Sequence, residues 1–249
     1  MSEPQTKKQR VEAEKADIKK AAQEAAEKAS PEEIVAKLLK DDTYGQTYCD
    51  QLGISLKQND ADSLFKWLCC AQLFSSGLSE ALTLKASRAL LDAKLIDTPK
   101  SVHDASQDDI VTALDHKFQR KEQTSGYLHS AAAVLLDKYD GSLYKLRDAA
   151  KKEPEEERKL LTEIKGLAKV GVDIFFREAQ LVWDEVTPFI DKRASESAEK
   201  LGLPTTAAEL QKLVGGDKKK LAVLAAALVR LALAKGKGEE DIKEILEEK

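Results

Sequence analysis

The sequence predicts an all-α protein. Apolar residues recur at helical spacing in run after run, and no run alternates apolar and polar residues as a half-buried strand does. Glycine (12) and proline (6) are scarce in 249 residues, which suits helices joined by short connections rather than a sandwich of many turns. No fixed-period repeat organises the chain.

Apolar residues make up 42% of the chain, enough to bury a core in one large domain or two small ones. Charged residues are 34% and the net charge is −4, so any nucleic-acid role has to rest on a local basic surface. Cys49, Cys69 and Cys70 form no CxxC pair. That spacing argues against a disulfide framework and against a zinc or iron–sulfur site, and it suggests a reducing compartment. The N-terminus carries no apolar signal segment, so the chain is not expected to be secreted. The longest apolar run, Leu221 to Ala234, contains Arg230, is too short to span a bilayer, and reads as a buried helix.

Taken in order, residues 1–29 are rich in Lys, Glu, Gln and Ala and lack an apolar face, which predicts a disordered charged tail. Lys7-Lys8-Gln9-Arg10 within it is a weak nuclear-import pattern or a solvated charge run. Ser30-Pro31-Glu32-Glu33 is a helix start, with a serine cap, proline in the first turn and two acids. Residues 43–60 read as an irregular loop. Asp62 is expected to cap the next helix, which carries Leu64, Phe65, Trp67, Leu68, Cys69, Cys70, Ala71, Leu73 and Phe74, apolar nearly all round, and is therefore central to a domain. Further helices follow over 80–93, 98–105, 107–114, 123–139, 143–150 and 155–163. Asp140-Gly141 closes the longest of them. After a glycine turn at 166–171, helices are expected over 172–182, 191–201, 206–214, 218–234 and 239–248.

The turn Gly166-Leu167-Ala168-Lys169-Val170-Gly171 is the most informative stretch. A glycine turn feeding a helix presents unpaired backbone N–H groups and the positive end of the helix dipole, an arrangement suited to phosphate. It lacks the Gly-Lys-Ser/Thr of a P-loop and follows no strand. Asp191, after Pro188-Phe189-Ile190, opens a later helix. An aspartate there is an ordinary N-cap on local sequence alone. His103, His116 and His129 are scattered and read as surface or packing residues, Trp67 and Trp183 as core, and Lys218-Lys219-Lys220 as a solvated helix start.

Over residues 60–235 these features, in this order, resemble the helix-hairpin-helix DNA glycosylase superfamily, the endonuclease III-like fold. Trp67-Leu68-Cys69-Cys70-Ala71-Gln72 is similar to the family's buried helix, which ends at a residue that probes the DNA stack. Ile164-Lys165-Gly166-Leu167-Ala168-Lys169-Val170-Gly171-Val172 resembles the hairpin, and Asp191 stands where the family places its catalytic aspartate. The resemblance implies two lobes: a helical barrel over 60–180 ending in the hairpin, and a second lobe from 30–59 and 181–249. It implies a cleft for damaged double-stranded DNA, with Asp191 facing the hairpin across its mouth. It implies that the amides of Gly166, Ala168, Val170 and Gly171 hold a phosphate, with Lys169 among the residues that bind DNA through their charge. Lys165 and Arg177 would add positive charge, and Gln72 would fill the gap left by a flipped base.

The chain departs from the pattern in four places. Ala168 replaces the second hairpin glycine, Gly171 and Val172 replace a small hydroxyl residue and alanine, Val170 stands where bifunctional members carry a lysine, and the C-terminal cysteine cluster is missing. These departures lead to the expectation of a cluster-free, monofunctional DNA glycosylase of base-excision repair, without lysine-dependent lyase chemistry; it is further expected to be a monomer with no cofactor or metal, acting in the nucleus or otherwise the cytoplasm. The alternatives are a DNA-binding protein that keeps the fold without turnover, and a helical interaction module with no DNA role.

Overall fold

A computed structural model describes residues 29–247 together with Glu12, Ala16–Ile18, Lys20 and Ala21, except for residues 59, 115–117, 235 and 236. The proposed import patch, most of the 1–29 tail and His116 lie outside the described residues. Every regular element among the described residues is a helix. In chain order these are α1 (Pro31–Lys40), α2 (Tyr48–Leu52), α3 (Ala61–Phe74), α4 (Glu80–Asp92), α5 (Pro99–Asp104), α6 (Gln107–Ala113) and α7 (Lys121–Tyr139). After them come α8 (Leu143–Ala149), α9 (Pro154–Thr162), α10 (Lys169–Ala179), a 3₁₀ turn (Asp184–Val186), α11 (Lys192–Lys200), α12 (Ala207–Leu213), α13 (Lys218–Leu233) and α14 (Lys237–Glu247).

Most helices begin as their sequences dictate. Ser30, Ser79, Thr98, Ser106 and Thr206 each accept an amide of the first turn on the side-chain oxygen, satisfying one of the orphan donors there. Asp60, rather than Asp62, caps α3. The longest helix, α7, ends at Asp140 and Gly141, both left-handed.

The chain forms two compact units. One comprises residues Tyr48–Phe189, and the other Met1–Thr47 with Ile190–Lys249. Within Tyr48–Phe189, α3 is the centre: Leu64, Phe65, Trp67, Leu68, Cys69 and Cys70 are all buried, and α4, α7, α8 and α10 pack around it. Trp67 Nε1 donates to the Phe175 carbonyl of α10 at 2.9 Å. Residues 48–59 and 181–189, expected in the other lobe, belong here. Glu178 on α10 is buried, and its two carboxylate oxygens accept the Tyr48 and Cys49 amides at 2.7 and 2.8 Å, which holds the first turn of α2. Burial is the largest influence on its carboxyl and pushes it up. Trp183 stacks edge-on against Phe175, and the Gln180 side chain holds both the amide and the carbonyl of Phe189.

The second unit is closed by α1, α11, α13 and α14. Its core includes Ile34, Val35 and Leu38 of α1, Ala194 and Ala198 of α11, Leu224 and Leu228 of α13, and Ile242 and Ile245 of α14. The apolar run at 221–234 is therefore the buried helix its sequence suggests. No helix among the described residues is long and apolar enough to cross a membrane.

Candidate nucleic-acid interface

The segment between α9 and α10 is a turn over 163–168, and Lys169, Val170 and Gly171 already form the first turn of α10. The helix starts three residues earlier than the spacing suggests. Gly166 has φ +86°, and a Cβ there would lie 2.5 Å from the Tyr127 ring, so both backbone conformation and packing demand glycine. Gly171 is different: it is helical, and it is small because Leu167 and Ser75 press on it, with a Cβ predicted by geometry at 2.9 Å from Leu167 Cδ1. Ala168 sits at φ −71° and ψ 177°, extended backbone that any residue adopts, so the missing second glycine costs nothing here.

Ala168 occupies the N-cap position of α10 and offers its amides no side-chain acceptor. Among the described residues α7, α9 and the 3₁₀ turn also start without a side-chain cap, but each has an acid in its first turn. The first turn of α10 has none, and it carries Lys169 instead. The amides of Lys169, Val170 and Gly171, the positive end of an 11-residue helix and a lysine thus meet at one tip. Lys165, Ala168, Lys169 and Val170 are all exposed, Val170 at 58%.

Gln72 lies behind this tip at the end of α3. It is only 5% exposed, and its Nε2 donates to the Lys165 carbonyl at 3.2 Å, pinning the turn. Its Oε1 is buried and accepts no hydrogen bond. A cavity of about 300 Å³ opens beside it, lined by Gln72, Ser76, Arg120, Gln123, Tyr127 and Gly166 among others. Arg177 does not join the tip's charge: it is 4% exposed, on the inner side of α10. The exposed cations of the turn are Lys165 and Lys169.

Asp191 belongs to the other unit, as the N-cap of α11. Its Oδ1 accepts the Arg193 and Ala194 amides at 2.9 and 3.2 Å, and the residue is 8% exposed. The cap role that local sequence suggests is therefore present. Asp217 caps α13 in the same way through the Lys219 and Lys220 amides. The three cysteines are free and buried, and burial pushes their thiols up, Cys70 to about 12, which leaves none as a nucleophile. His129 is a packing residue whose ring nitrogens lie 2.9 Å from the Ser125 and Ala105 carbonyl oxygens, joining α7 to the end of α5. No group of three or more His, Cys, Asp or Glu side chains among the described residues could hold a metal ion.

Sequence reading missed the acids inside the Tyr48–Phe189 unit. Glu157 sits in a charged-looking helical stretch and Glu178 beside Arg177 in a more apolar one, and only the three-dimensional packing reveals that both acids are buried.

No family model and no curated protein sequence matches this chain. Among solved structures, the chain is similar in fold to an endonuclease III captured on DNA as a covalent intermediate in an estranged-adenine complex. The two share 14% sequence identity and a TM-score of 0.47, over 78% of this chain and 81% of that one.

Proposed function

We propose that this protein binds damaged double-stranded DNA through the α10 tip and acts in base-excision repair, with the nucleus as its compartment. The observation that supports this is the start of α10, a helix with neither a side-chain cap nor an acid in its first turn, and with Lys165 and Lys169 exposed around it. Backbone amides at such a terminus suit a phosphate oxygen and are indifferent to base sequence. Gln72, behind the tip, is the proposed residue for the gap left when a base leaves the stack.

The proposed reaction is monofunctional cleavage of an N-glycosidic bond. As the bond to the base breaks, positive charge builds on the sugar, and a fixed carboxylate stabilises that charge or takes a proton from attacking water. Asp191 is the proposed carboxylate. Val170 has no amine, so no Schiff base with the sugar forms at that position. A second reading, DNA binding without turnover, is favoured by the work Asp191 already does as a cap.

The test is incubation of a panel of lesion-bearing duplexes followed by alkali, with the intact protein and with Asp191→Asn. Asparagine caps a helix as well as aspartate does, so the variant removes the charge and keeps α11. Strand breaks seen only after alkali, and lost in Asp191→Asn, are expected of a monofunctional glycosylase. Measurable DNA binding with no product from either protein would establish the second reading. Lys169→Glu checks the tip itself: it places an acid in the first turn without touching the core. Affinity for duplex DNA is expected to fall by at least about tenfold with folding intact, and unchanged binding would exclude the tip as the DNA contact.

A further inference from the structure

Arg147 of α8, Glu157 of α9 and Glu185 of the 3₁₀ turn meet inside the Tyr48–Phe189 unit. Arg147 Nε and Nη2 donate to the two oxygens of Glu185, both at 2.5 Å, so the guanidinium is engaged bidentately by one carboxylate. The guanidinium also lies 5.8 Å from the Trp183 ring centre and 5.9 Å from that of Tyr144.

Glu157 is 0% exposed and sits against Glu185. Both its oxygens are buried and neither accepts a hydrogen bond. Two carboxyl groups thus face each other with one cation between the two of them, and that cation is committed to Glu185. Two carboxylates in such a place cannot both stay ionised; a proton on one supplies the missing donor between them. The Trp183 indole N–H is buried beside this cluster and also lacks a partner.

One residue further along α9, Arg158 Nη1 donates to Asp173 of α10 at 2.7 Å, and its guanidinium lies 5.0 Å from the Phe176 ring centre. The helix that carries the buried acid is therefore tied to the helix whose first turn forms the exposed tip. It also leads directly into the Gly166 turn.

We infer that Glu157 is a proton-binding latch: protonated, it bridges to Glu185 and seats α9, and on losing its proton it loosens α9 and the α10 tip that α9 positions. The charged and titratable groups facing it are Glu185, Arg147 with Tyr144 behind it, and Glu153 at the start of α9. Burial, then Glu185, pushes the Glu157 carboxyl up to about 8; Arg147 opposes this less strongly. The opening of the latch thus falls at the alkaline edge of neutral pH. The latch itself stands on the buried cluster alone. Its link to DNA rests on the proposed function of the tip.

The test is an NMR pH titration of the intact chain from pH 6 to 10, alongside Glu157→Gln. Glutamine fills the same space and can donate to Glu185 without a titrating proton. The two indole N–H signals separate the tryptophans, since Trp67 donates to Phe175 and Trp183 has no acceptor. The expected result is a Trp183 signal that shifts with a midpoint near pH 8, faster amide exchange over 163–172 above that midpoint, and loss of both effects in Glu157→Gln. A Trp183 signal flat across the range, or one that titrates identically in Glu157→Gln, would overturn the latch. Titration without a change in exchange over 163–172 would overturn its coupling to the tip. Duplex affinity is expected to drop at least threefold between pH 7 and 9 in the intact protein only. Absence of DNA binding at every pH would count against the DNA reading, and the titration would still decide the latch.

Discussion

Replacing Glu178 by alanine removes the carboxylate that accepts the Tyr48 and Cys49 amides in the core. A stability loss on the order of 3 kcal/mol is expected from urea unfolding. Glu178→Gln keeps one acceptor oxygen and should lose less. Glu157 acts through protons. Its carboxyl is held above the ordinary value of 4.5, so the folded state binds the proton more tightly than the unfolded chain. Its contribution to stability is complete below about pH 4.5 and fades as the pH rises through about 8. Glu185 is shifted down, mainly through the Arg147 hydrogen bonds acting against burial, and its contribution fades in the opposite direction as the medium becomes acid. Glu157→Gln should therefore flatten the decline in melting temperature between pH 5 and 9 and leave the acid limb in place. Neither buried acid was legible in the sequence. Glu157 stands in Glu155-Glu156-Glu157, which looks like a solvated first turn, and only tertiary packing selects one of the three for the interior. Gly166 was legible, because a glycine between two helical patterns implies a left-handed turn. Gly171 was not, because close approach by Leu167 leaves no local mark.

Most helix starts were readable where a capping side chain announces them, as Ser30, Thr98 and Ser106 do for α1, α5 and α6; at α3 two nearby aspartates shifted the reading from Asp60 to Asp62. They were misplaced where the backbone does the work unaided. Arg120 takes a left-handed conformation ahead of α7, and Lys151 and Lys152 do the same after α8, although lysine and arginine carry no turn signal. The α10 start fell in the same gap. With no capping side chain to mark it, Gly171 looked like the end of the turn rather than the third residue of the helix. The position of Asp191 at a helix start was legible and its cap geometry follows from it, but nothing local tells a cap from a cap that also does chemistry. Two substitutions separate the roles. Asp191→Ala should lower the melting temperature by an amount equivalent to about 1 kcal/mol through loss of the cap. Asp191→Asn should not, so calorimetry on both variants shows whether asparagine keeps the cap, and any loss of base release in Asp191→Asn is then due to the missing charge and not to a disturbed α11.

Over the whole molecule, the all-helical class was the firmest sequence reading, since apolar spacing at 3.6 residues survives every local misassignment. The extent of each unit was less legible. The place of residues 48–58 depends on Glu178 reaching the Tyr48 and Cys49 amides far away in sequence, and that of 181–189 on Trp183 and Gln180 folding back on Phe175 and Phe189. Tyr48–Phe189 is continuous and owns its core around α3, so this segment expressed alone should give a cooperative thermal transition and dispersed amide signals. An unfolded fragment would show that the unit depends on the rest of the chain.

The other unit draws α1 from early in the chain and α11–α14 from late in it. During synthesis on the ribosome, α1 emerges with Ile34, Val35 and Leu38 and finds nothing to bury them against. Their partners, Leu224, Leu228, Ile242 and Ile245, are translated after the entire intervening segment has had time to fold. A growing chain therefore carries an uncovered apolar stripe for most of its translation, and the unit closes only once its last helices have been made.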